Sequence, residues 1–359
     1  MTGEKSFLAE QRQVDQKTIK QKSKWTNGCR QAALWLVPLV FIFLSLFIGR
    51  YAISIGEVIN SLLAFIGCGE QTVSRQTLVV VTQLRLPRAI GAAFIGGALA
   101  VSGAAFQGVF RNPLVNSGLL GVSSGAGFGA ALAIILFNTS FAIYSLAFLF
   151  GILAVLLSYW TAKIYKSVPT VMLILGGTII SSIFSALLSL LKYMADAENQ
   201  LPAIVYWLMG SLSSVGYDDF WALLPIIGGI IILLLFSWQI NVLSMGDKEA
   251  RTMGLDVKKL KAVIIIGATL ATAGAVCLAG IVGWVGLVIP HIGRMIVGND
   301  NKKLLPLCIS VGASFMILID TVSRIIAVSE VPLGILTALI GAPFFIYLLK
   351  KTKGGGWRG

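Results

Sequence analysis

Ten long apolar segments, each bounded by short polar or Gly/Pro-containing breaks, run along the chain at roughly 32–49, 89–109, 118–137, 142–162, 170–191, 220–240, 262–280, 282–298, 304–326 and 334–349. Each approaches the ~20 residues that a helix needs to cross the hydrocarbon of a bilayer. The pattern predicts an all-α polytopic membrane protein with about ten transmembrane helices in one domain over 31–350, between polar tails at 1–30 and 351–359. The seventh and eighth segments are divided only by Gly280–Gly283. The stretch 84–125 organises the rest: a pair of arginines around Pro87, an apolar run dense in Gly and Ala, the polar turn Arg111-Asn112-Pro113, and a second Gly/Ser-rich apolar run. Small residues four apart, Ala93 to Gly97 and Ala100 to Ala104, let helix backbones approach closely where lipid gives no hydrophobic drive for association. Pro113 cannot donate to a helix ladder and pushes Asn112 away from helical angles. A helix hairpin inside a bundle, polar at its tip, is expected there.

Composition agrees. The 359 residues are 57% hydrophobic and 12% charged, with a mean hydropathy of +0.88, against about 25% charged in a soluble domain. In a soluble protein a net charge of +13 would point to nucleic acid; here basic residues mark cytoplasmic loops. With both termini placed inside, all 28 Lys/Arg except Arg50, Arg75, Arg85, Arg88, Lys192 and Arg324 fall on the inner side. The polar residues 1–30 read as a solvated cytoplasmic tail, and the segment from Ala32 to Gly49 as a retained anchor, since no cleavage pattern follows it. Four scattered cysteines and the lone His291 give no disulfide framework and no metal site.

An internal echo joins Ile95–Ala105 to Ile266–Val276, with six identities in eleven positions. Five predicted spans separate the two helices, so they should run in opposite directions. Inverted repeats of this kind are common in transporters. No GxxxxGK[ST] phosphate loop occurs, so energy for uphill transport must come from another subunit. Asp320 is the only acid within a span, too little for an ion relay, and it reads as the partner of Arg324 one helical turn on. The largest inner loop, 241–261, carries Met245, Ala250, Met253 and Leu255 as an expected apolar face beside Asp247, Glu249 and Arg251, punctuated by Gly246 and Gly254. It is either a docking knob or a solvated loop. On the outer side, Tyr206, Trp207 and Met209 suit the membrane interface or the mouth of a pathway.

Together, LRLPR (84–88), GxxLAxSGAxxQ (96–107), RNPLxxxGLLGVSSGAG (111–127), YWLMGS (206–211), MGDKEARTMGL (245–255), GLVIPHIGR (286–294) and GILTALIGAPFFIYLL (334–349) resemble the ten-helix permeases of binding-protein-dependent ABC importers for iron–siderophore, haem and cobalamin. The resemblance implies a bacterial plasma-membrane subunit that is not itself an enzyme. Its partners would be a second permease copy, two cytoplasmic ATPase subunits holding ATP and Mg, and an extracytoplasmic substrate-binding protein. It further implies that Arg85, Arg88 and Arg324 are outer cations that dock that protein. Asn112 and Leu114, with Thr170 and Val171, would form the cytoplasmic gates, the second one departing from the Ser/Thr-rich pattern as SVPTVM. Residues 245–255 would couple to the ATPase, and His291 would serve packing. Iron(III)-siderophore is the cargo expected from the breadth of that class, with haem or cobalamin as alternatives. An ion-coupled secondary transporter built on the repeat alone is the rival of a different class.

Overall fold

The computed structural model describes residues 34–68, 73–163 and 170–351. Among them lie helices only: α1 (Leu34–Phe47), α2 (Ile55–Phe65), α3 (Arg75–Phe110), α4 (Val122–Leu136), α5 (Ser140–Lys163), α6 (Thr170–Met194), α7 (Gln200–Met209), α8 (Leu223–Leu235, entered through a 3-10 turn at Tyr217–Ala222), α9 (Ser237–Met245), α10 (Asp247–Thr252), α11 (Val257–Ala279), α12 (Val285–Val297), α13 (Asn301–Ile325) and α14 (Leu333–Lys351). A helix stands at each of the ten apolar segments. Six are long and apolar enough to cross a membrane unaided: α3, α5, α6, α8 with its entering turn, α11 and α13. The sixth segment breaks at Phe236, so its end becomes the separate helix α9.

α3 is the axis of the bundle. It packs along α13, α11 and α12 and touches α8 and α9, and nearly all of its second half is buried. Glycines permit this. A Cβ on Gly96 would overlap the Gly312 carbonyl oxygen of α13, and one on Gly103 the Gly286 carbonyl of α12. The two arms of the expected hairpin do not pack along each other. α4 instead joins α5 and α6, and α11 bridges the two groups. α3 and α11 do run antiparallel: Arg111, closing α3, lies beside Gly246, and the adjacent Asp247 is ion-paired with Lys261 near the start of α11.

α3 begins well before the predicted span. Its 36 residues reach about 54 Å at 1.5 Å per residue, beyond the ~30 Å of hydrocarbon. The helix widens into a π-turn at Val80–Arg85, where a regular turn would drive the Pro87 ring against the Gln83 carbonyl. The added length rests on α2 through a small core of Leu46, Ile53, Val58 and Val81. α2 opens with a capping box, Ser54 and Glu57 each accepting from the other's backbone N–H. That Ser-x-x-Glu signature was readable in the sequence.

Candidate functional site: an arginine cleft and a capped knob at opposite ends of one helix

At the end where α3 begins, Arg85 and Arg88 are not the exposed cations the sequence leads one to expect. They are only 6% and 8% exposed. Arg85 donates Nη1–H to Leu46 O and Nη2–H to Tyr51 O, both at 2.6 Å. Arg88 donates Nε–H to Asp320 at 2.7 Å and both Nη groups to Glu330 at 2.8 Å. Asp320 therefore pairs with the expected Arg324 one helical turn on, 3.3 Å away though without an aligned hydrogen bond from its Nε, and also reaches Arg88 on a second helix. The remaining Arg324 contacts, to Ile48 O, Ser45 O and Thr321 Oγ1, are long at 3.3–3.4 Å. Arg50 is the exposed cation here, donating to Arg324 O and Ala327 O. The four arginines and Glu330 line a cleft of about 360 Å3. Buried ions persist in low dielectric only when paired and hydrogen-bonded. That explains the tight Arg88 pairing and leaves Arg324 the looser member.

At the other end, α3 closes with Arg111 in the left-handed conformation (φ 50°). Asn112 N–H returns to Gln107 O at 3.2 Å, the bond of a Schellman close. The Asn112 side chain then accepts from Leu114 N–H at 2.9 Å, an Asx turn that fixes the tip and leaves Leu114 exposed. Behind the tip, Gln107 donates to Val115 O and Gly286 O and accepts from Arg294 of α12. Thr170 opens α6 and Val171 is exposed on it. The rest of the loop expected to form the second gate, 164–169, lies outside the described residues.

Residues 245–255 stand at the same end as Arg111, whose guanidinium lies beside Gly246. α10 is a single short helix. Gly254 (φ +79°) ends it, with Leu255 N–H on Ala250 O and Gly254 N–H on Arg251 O, a Schellman motif whose left-handed residue favours glycine. Lys261, buried in α11, ties Asp247 at 2.7 Å. The four apolar residues do not share one face. Ala250 and Leu255 turn to the core, while Met245 and Met253 stay 66% and 53% exposed beside Lys248 and Arg251. Nearby, the Asn241 amide donates to Asp300 at 2.8 Å, which holds that carboxyl below its usual range.

Sequence reasoning missed Glu330 and the ten-residue helix α7. Glu330 pairs across 242 positions, for which no local pattern exists. Tyr206 and Trp207 sit on α7, where the Tyr206 hydroxyl, Ser211 and Ser213 form a hydrogen-bonded chain. His291 is half-buried on α12. Among the described residues, no three His, Cys, Asp or Glu side chains gather as metal ligands.

Residues 36–351 match the FecCD transport family. The molybdate import system permease protein MolB of Haemophilus influenzae is 40% identical over 324 residues, 90% of this chain and 96% of that one. The cobalamin import system permease protein BtuC of Halobacterium salinarum is 40% identical over 277 residues, 77% of this chain and 74% of that one. A solved structure of an ABC transporter described as metal-chelate type, in an inward-facing conformation, superposes with a TM-score of 0.81 at 39% identity, covering 90% of this chain and 99% of its own. With ten apolar segments folded as helices around one glycine-lined axis, the chain belongs to the FecCD transport family, as a multi-pass membrane permease subunit of an ABC importer.

Proposed function

We propose that two copies of this chain form the membrane channel of an ATP-driven importer in a bacterial plasma membrane, with both termini in the cytoplasm. Two ATPase subunits carrying ATP and Mg bind below, and a substrate-binding protein docks above at the arginine cleft. The observation that carries the reading is the knob: a short helix closed by a Schellman motif and pinned by Lys261, flanked by two exposed methionines among charged residues at the end of the bundle where the Asn112 turn lies. Apolar anchors ringed by charge are what a protein–protein contact uses. Asn112 and Leu114, with Thr170 and Val171, act as the gate. Replacing Met245 and Met253 together by Glu is expected to release the ATPase during purification, with the permease still folded. Retention at normal stoichiometry would remove the knob from the coupling role.

α6 supports the channel reading. Thr178, Ser182, Ser185 and Ser189 form an exposed hydroxyl stripe at helical spacing on an otherwise apolar helix. The hydroxyls of Thr178, Ser182 and Ser189 donate to the carbonyls one turn back, so the wall is polar without reaching for cargo. A wall that binds cargo equally in both states shifts no equilibrium, and direction then comes from nucleotide and partner binding.

For the cargo we propose an iron(III)-siderophore, a metal chelate as in the transporter type of the superposed structure. Molybdate is the second reading, favoured by the 96% coverage of the Haemophilus influenzae permease. Titration of the cognate binding protein with ferric siderophore, cobalamin and molybdate, followed by ATP turnover of the reconstituted complex, separates them. Selective stimulation by ferric siderophore is expected. Stimulation by molybdate alone would overturn the iron reading, and transport driven by a proton or sodium gradient without an ATPase would overturn the importer itself.

A further inference from the structure

The arginine cleft holds more positive than negative charge. Arg50, Arg85, Arg88 and Arg324 surround it, and Asp320 and Glu330 are the carboxylates paired with them. The two carboxylates differ in kind. Asp320 is on the rigid helix α13, with its side chain 2% exposed, and lies between Arg88 and Arg324. Glu330 is on the connection 326–332, its side chain 27% exposed, and is ion-paired with Arg88 alone. Its connection is held lightly. Arg50 donates to Ala327 O, Ser323 and Val331 bond each other, and Leu333 N–H, the first of α14, donates to Gly210 O at the end of α7.

We propose that Glu330 holds the place of a carboxylate from the acidic docking face of the substrate-binding protein, and that docking exchanges one for the other on the Arg88 Nη pair. The inference rests on the docking reading above and adds a competitor within the chain. Exchange keeps Arg88 paired throughout, so its buried guanidinium loses no carboxylate at any stage. Asp320 stays on Nε and preserves the fold. The released Glu330 is partly in water already. The freed connection leads directly into α14, so docking is felt at the Gly210–Leu333 bond without any movement of α3.

The test uses the full-length permease with its ATPase in nanodiscs, titrated with the cognate binding protein. Glu330→Gln removes the competing charge while Asp320 keeps Arg88 paired. It is expected to tighten docking about tenfold, the worth of roughly one charge-assisted hydrogen bond. Amide exchange over 326–333 should also be faster before any partner is added. Glu330→Asp, which keeps the carboxylate, should dock as the native chain does. A separate arm tests the docking site itself: Tyr51→Cys, at the rim of the cleft, labelled with a bulky maleimide in a background lacking Cys29 and Cys68, should block docking. Blocked docking by the label with Glu330→Gln at native affinity overturns the exchange alone. Undiminished docking with the label in place overturns the docking reading.

Discussion

Asp320→Ala is expected to cost about 3–5 kcal/mol of stability, the range for breaking a buried ion pair by removing one partner. The carboxylate is almost wholly buried, 2.7 Å from Arg88 Nε and 3.3 Å from Arg324 Nε. Its loss leaves two guanidiniums facing each other with side chains only 9% and 11% exposed. Arg88 would keep Glu330, so Arg324, whose remaining contacts are long, carries most of the penalty. Thermal unfolding of the detergent-solubilised permease, followed by the monodisperse fraction on size exclusion, gives the measurement. An unchanged midpoint would mean that water enters the site and the ion pairs are screened. Replacing Asp320, Arg88 and Arg324 together by apolar residues should recover much of the loss, because desolvation of the arginines is removed along with the pair.

The second large effect is expected at Gly96. Its Cβ would meet the Gly312 carbonyl oxygen and Met316 Cβ, so Gly96→Val must push α3 and α13 apart. Overpacking a core usually costs about 1–3 kcal/mol because side chains can shift. Here one obstacle is backbone on a facing helix, and the loss should exceed that range. Gly228 in α8 has nothing within 4 Å of its Cβ position, and Gly228→Ala should stabilise the helix by roughly 0.5–1 kcal/mol. The same unfolding assay tests both variants. Equal behaviour of the two would show that α3 and α13 do not approach as closely as the structure has them.

Much of the fold was legible, for a simple reason: a segment apolar enough to span lipid must satisfy its own backbone and is therefore a helix. A helix stands at each of the ten segments, the sixth divided at Phe236. Orientation within the bundle was not legible, because lipid and protein interior are equally apolar. α6 is more hydrophobic than α3, yet only 28% of its most apolar stretch is buried against 83% for α3. The turn at Asn112-Pro113 and the stop at Gly254 were readable, since each follows from one residue's backbone chemistry. The phase of the Met245–Leu255 stretch was not, because Gly246 and Gly254 break its helical period and split the four apolar residues between core and surface. The arginine cleft was misread as exposed. Its partners come from α1, α13 and the connection after α13, and charge pairing across such distances leaves no trace in local pattern.

The length of α3 has a mechanical consequence. Arg88 and Arg111 are joined by one uninterrupted helical run, some 34 Å apart at 1.5 Å per residue, so a single stiff rod links the cleft to the proposed gate turn. A tilt of about 5° around the cleft end would carry Arg111 and the Asn112 tip sideways by ~3 Å over that length. Such a lever needs no change inside α3, but the close glycine contacts at Gly96 and Gly103 would have to slide with it.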